Sequence, residues 1–176
     1  MKFKNSKTKY GLIAKIFHWT IFIILTLQFP LGVYLDDLEF SEFKLSIENW
    51  HVTIGMLIFY ITLARLIWKS FNLDPSKYNQ VNNIQKYIAI SIHYLFYIIL
   101  LLITLSGIVK LLVSGDTINF IFFNYSIDYI NFDLAKNFHK IHFLSSYFLI
   151  VLFILHLGAV IYHHFFLKDP IIKKII

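Results

Sequence analysis

The chain contains no cysteine. That excludes disulfides, iron–sulfur clusters held by thiolates, and haem attached covalently through a CxxCH motif. It has no internal repeat and no low-complexity linker, so nothing divides its 176 residues into separate units. The apolar run after the basic start is too long for a secretory signal and lacks a small-x-small cleavage site, so it reads as a retained transmembrane helix. Long soluble loops are missing as well. The formal net charge of +6 therefore has no basic groove or soluble module to serve, and nucleic acid is not an expected partner. Its distribution points to membrane orientation.

What the chain does have is apolar length. Hydrophobic residues make up 58% of it, whereas a soluble domain is usually about half apolar even with glycine counted. Four runs reach the roughly 20 residues needed to cross a bilayer core. They predict an all-α membrane protein, a four-transmembrane-helix bundle forming a single domain over 1–176, with helices at about 11–35, 49–69, 87–113 and 137–167. Pro30 falls near the outer end of the first, where a membrane bundle tolerates it. Asp74-Pro75 marks a turn in the second connection. The third connection, 114–136, is rich in aromatics and Asn and suits the membrane interface. Lys2, Lys4, Lys7, Lys9, Lys15, Arg65, Lys69, Lys77, Lys86, Lys168, Lys173 and Lys174 gather on one side. Lys44, Lys110, Lys136 and Lys140 lie towards the other. The positive-inside rule then places both termini in the cytoplasm.

The last apolar run, NFHKIHFLSSYFLIVLFILHLGAVIYHH, carries five histidines: His139, His142, His156, His163 and His164. Ionisable residues inside a membrane segment are costly and mark functional sites by default. His142 and His156 are fourteen residues apart, which on a helix is one face and roughly 21 Å of axial rise. Imidazole is a usual axial ligand of haem iron, so one ring near each membrane surface points to two stacked haems. The same step recurs on the other helices, from His18 to Gly32, His51 to Arg65, and His93 to Gly107. Two levels result. The inner holds His18, Arg65, His93 and His156; the outer holds Gly32, His51, Gly107 and His142. Only His51 and His142 can pair at the outer level, whereas His156 can meet either His18 or His93. Gly32, Gly55 and Gly107 suit close approach to a porphyrin, or alternatively close helix packing. Arg65 suits a propionate carboxylate, or alternatively the cytoplasmic headgroups. His139 reads as interfacial, and His163 and His164 mark the inner helix end, with roles in proton transfer left open.

The segments FHW around His18, NWHVTIG around His51, HYLFY from His93, and KIH(x13)H followed by HHFFLKD resemble the bacterial cytochrome b561 family, over essentially the whole chain. The resemblance implies a di-haem, four-helix protein of the bacterial inner membrane with two non-covalent, bis-histidine haem b groups. It implies His18 and His156 as ligands of the inner haem and His51 and His142 of the outer, and leaves His93 outside the ligand set, to hydrogen-bond a propionate or face a quinone. It further implies electron transfer between a periplasmic-side donor and the quinone pool. The leading expectation is an enzyme that oxidises superoxide and reduces ubiquinone. The alternative is a cytochrome b subunit serving a periplasmic dehydrogenase or hydrogenase-type enzyme. A haem-free scaffold or transporter is a third class, disfavoured by the matched histidines.

Superoxide is an anion, and charge steers it. The outer connections carry eight acidic residues, which oppose it overall, yet Lys136 and Lys140 lie within a turn or two of His142. With Lys110 these lysines form the expected landing site, provided that the acids of the first connection stand away from it.

Overall fold

Four helices, α1 (Leu12–Asp37), α2 (Glu42–Ser70), α3 (Asn83–Val113) and α4 (Phe132–Phe165), account for most of the chain. The computed structural model describes residues 2–73, 75, 83–119, 123–168 and 175. Asp74 of the expected turn, Lys77, the side chain of Lys86, residues 120–122 of the aromatic connection, and Lys173 and Lys174 lie outside these. Each helix is long and apolar enough to cross a membrane. Even α1, with 26 residues, is about 39 Å long at 1.5 Å per residue, against a hydrocarbon core of roughly 30 Å. It continues unbroken through Pro30.

Three helices begin earlier than their apolar runs. α2 starts at Glu42 rather than near 49, because Ser41 caps it by accepting from the Lys44 amide (3.2 Å) and Glu42 adds negative charge to the first turn. α4 starts at Phe132 rather than near 137, with Asn131 accepting from the Leu134 amide (2.9 Å) and Asp133 in the first turn. α3 starts at Asn83 rather than near 87. The acidic segment expected as the first connection thus shrinks to residues 38–41, and the remainder is helix.

The aromatic connection carries local order of its own. Gly115, at φ +90°, turns the chain out of α3 in a conformation other residues rarely adopt. A short antiparallel pair comes next, β1 (Ile118–Asn119) with β2 (Asn124–Tyr125). The Asn131 amide then donates to the Val113 carbonyl (2.8 Å) and closes the connection onto the end of α3. At the opposite end, the Gly11 amide donates to Asn5 Oδ1 (2.9 Å) and Asn5 Nδ2 donates to the Leu73 carbonyl (2.9 Å). The N-terminal stretch is thereby tied to the end of α2.

Sequential helices are neighbours, with α3 against α4 the most extensive packing and α1 against α2 next. α1 and α4 meet through ring pairs, Phe22 with Phe153 and Phe29 with Tyr147. An apolar cluster of Ile21, Ile58 and Leu100 lies at mid-bundle. Many large apolar side chains, among them Leu27, Ile98, Val151 and Leu155, face outward, as a lipid solvent permits. Several of the most buried residues are small and polar instead: Thr62, Thr104, Ser106 and Ser145. Small residues let membrane helices approach closely. Thr104 and Ser106 give their hydroxyl protons to the carbonyls of Leu100 and Ile103, so the approach leaves no unmet donor at either.

Candidate functional site

The residues at the fourteen-residue steps make contacts near both ends of the bundle. At the outer level the rings of His51 (α2) and His142 (α4) lie 6.0 Å apart, centre to centre. Gly32 (α1) faces the edge of the His51 ring: a Cβ there would stand 3.0 Å from Cε1 and 3.6 Å from Nδ1. Gly107 (α3) faces His142 in the same way, at 3.2 Å from Nδ1 and 3.3 Å from Cε1. The clearance these glycines provide is for the imidazoles. Gly55, one turn after His51, faces the Gln28 amide instead, at 3.7 Å.

His142 is held in one tautomer. Its Nδ1 lies 2.8 Å from the Ile103 carbonyl, which can only accept, so Nδ1 carries the proton and Nε2 keeps its lone pair. A histidine that ligates a metal is commonly arranged this way. His51 is seated differently. Its Nδ1 is buried with no hydrogen-bond partner among the described residues, while Gln28 Nε2 donates to its backbone carbonyl (2.9 Å).

At the inner level Arg65 Nη2 (α2) lies 3.5 Å from His18 Nδ1 (α1). The His93 (α3) and His156 (α4) rings are 5.6 Å apart and nearly perpendicular. His93 Nδ1 donates to the Ala89 carbonyl one turn earlier, which puts the lone pair of the ring on Nε2. Arg65 also lies over the Tyr97 ring (5.6 Å), and Lys69 over Tyr94 (4.3 Å). The outer level thus brings Gly32, His51, Gly107 and His142 together, and the inner level shows two pairs. The structure brings His156 beside His93, and His18 beside Arg65.

The lysines divide. Lys136 and Lys140 are exposed on the first turns of α4, and no acidic group pairs with either among the described residues. Lys110 is bonded to Glu48 (3.3 Å), each about one-third exposed. Glu48 was expected to stand away with the other acids of the first connection; it lies on α2 one turn before His51 and reaches α3. The sequence reading missed Glu48 and Gln28 as parts of this level. An amide inside a spanning helix, four residues before Gly32 on the same face, was the available signal for Gln28. The Ile103 carbonyl, being backbone, gave none.

Among the described residues no three metal-ligating side chains converge. The histidines come in pairs, which suits a metal that brings most of its own ligands. The model of the family described as prokaryotic cytochrome b561 matches residues 9–176. The chain belongs to the prokaryotic cytochrome b561 family. Across 179 aligned residues, spanning 100% of this chain and 95% of that protein, it is 25% identical to cytochrome b561 homolog 2 of Escherichia coli (strain K12). Cytochrome b561 homolog 1 of the same organism is 31% identical over 134 residues, 73% of this chain and 74% of that protein. As a member of the cytochrome b561 family, this chain is a multi-pass bacterial membrane protein that binds haem b and transfers electrons.

The residues at the outer level fit that cofactor. Two imidazole nitrogens, each about 2 Å from one metal ion, put their ring centres roughly 6 Å apart, matching the 6.0 Å between His51 and His142. Both rings lie against glycines where an added Cβ would be a tight contact that the imidazole would have to yield to.

Proposed function

We propose that this chain is a single-domain, di-haem cytochrome b of the bacterial inner membrane, carrying electrons from a donor at the periplasmic face to a quinone. The observation that carries the reading is the His51–His142 pair, at a separation suited to bis-histidine ligation and with the His142 tautomer fixed by Ile103. His51 and His142 would hold the outer haem, and His156 with His18 the inner. Haem b, when bound by two histidines, supplies a one-electron couple with no open coordination position.

The chain's own residues set the rest. Gly32 and Gly107 keep the outer rings in place. At the inner level the Arg65 guanidinium can only donate, so where it meets His18 Nδ1 that nitrogen must accept. Ligation through His18 Nε2 requires a proton on Nδ1, so Arg65 must then turn to another acceptor, for which a propionate carboxylate is suited. His93, with its lone pair on Nε2 and its ring beside His156, is the structural alternative to His18.

For the donor, superoxide oxidation is the leading reading: two superoxide anions give two electrons and leave as dioxygen, while ubiquinone takes two electrons and two protons to become the quinol. Lys136 and Lys140, exposed on the turns before His142, support it by offering positive charge at the outer level, with Lys110 sharing its charge with Glu48.

The test is haem stoichiometry. His51→Ala or His142→Ala should lower the pyridine haemochrome count from two to about one per chain. Retention of both haems in either variant would refute the outer pair. Superoxide that reduces neither haem in the intact protein would shift the donor to a docked periplasmic dehydrogenase.

A further inference from the structure

Gln28 is only 8% exposed and lies inside a membrane-spanning helix, where an amide is costly unless all its hydrogen bonds are made. Its nitrogen is engaged by the His51 carbonyl at 2.9 Å. Because a carbonyl only accepts, this contact assigns the amide orientation and leaves Oε1 as the free end. That oxygen is buried with no donor among the described residues. His51 Nδ1 is likewise buried with no acceptor among them. The edge of the ring bearing Nδ1 faces Gly32 on α1, and Gln28 is one helical turn before Gly32 on the same face. One side chain therefore already grips the His51 backbone, and its unused acceptor stands at the level of the unused ring nitrogen.

We infer that Gln28 is a positioning residue for the outer haem, whose side-chain oxygen accepts the His51 Nδ1 proton, directly or through one water, and so sets the basicity of His51 as a ligand. The inference rests on His51 being an outer-haem ligand through Nε2. Ligation at Nε2 leaves the proton on Nδ1, and that proton needs an acceptor. His142 has the Ile103 carbonyl; Gln28 gives His51 the equivalent. An acceptor at the far nitrogen makes an imidazole a stronger donor to iron, which favours the oxidised metal and lowers the reduction potential.

The experiment is a spectroscopic redox titration of the haem-loaded Gln28→Met and Gln28→Glu variants. Met matches the length of the side chain and removes the acceptor, so the outer haem should titrate at a higher potential than in the wild type, with two haems retained. Glu restores a stronger acceptor and should move it lower. A purely structural role would not give shifts of opposite sign. Shifts of the same sign, or none in a variant that holds both haems, overturn the inference, as does loss of the outer haem from both variants. Should only Gln28→Met fail to assemble, Gln28→Glu decides alone, and an unchanged or raised potential refutes the role. The histidine substitutions test the ligand reading separately: loss of a haem from His51→Ala with unmoved potentials in the Gln28 variants rejects the inference and leaves the reading intact.

Discussion

A histidine in hydrocarbon is conspicuous, and for that reason the two outer histidines were legible as letters. His51 and His142 meet as expected. Their hydrogen-bonded neighbours were not legible, since one is a backbone carbonyl and the other an amide that a hydropathy reading passes over. The inner level is where residue identity alone leaves a choice. His156 has His93 at 5.6 Å, while His18 faces a guanidinium. If His18 is the ligand, His18→Ala loses the inner haem, and His93→Ala keeps both with an altered inner potential or a slower reaction with quinone. Haem counts and potentials on the two variants separate the cases; the opposite pattern assigns the ligand to His93 and leaves Arg65 to hold His18 in its present contact.

Helix existence could be read from apolar length, and so could the start of α1 and the four helix ends to within two residues, but the starts of α2, α3 and α4 could not. Apolar runs report where lipid lies, whereas hydrogen bonding decides where a helix starts. The polar first turns of α2 and α4 are held by Ser41 and Asn131, signals present in the sequence and outweighed there by hydropathy. The extra turns matter because the start of α4 carries Lys136 and Lys140. Asn131→Ala removes the cap and should cost about 1 kcal/mol, read as a lower thermal midpoint in detergent. Fraying of that turn should also slow reduction by superoxide, while the haem count stays at the wild-type value. A variant with unchanged midpoint would show that the Val113–Asn131 backbone bond holds the turn by itself.

For the molecule as a whole, charge and geometry act on different parts of the reaction. The outer face is acidic overall, and the Glu48–Lys110 bond removes part of the positive charge expected there, so in the proposed superoxide reaction steering would rest mainly on Lys136 and Lys140. Stopped-flow reduction by superoxide should slow with added salt and fall in Lys136→Glu and Lys140→Glu; indifference to both changes would reject the landing site. Once an electron has been captured, geometry takes over. His142 and His156 belong to one unbroken helix, so their levels differ by roughly 21 Å, about two-thirds of the hydrocarbon thickness. An electron passing inward between them moves towards the negative side of an energised membrane. At about 2.3 kcal/mol per charge per 100 mV, that fraction amounts to roughly 1.6 kcal/mol for each 100 mV. If each level holds a haem and the electron passes inward to quinone as proposed, the continuity of α4 makes the transfer voltage-sensitive: in sealed vesicles, quinone reduction from the outer face should be fastest when the membrane is discharged.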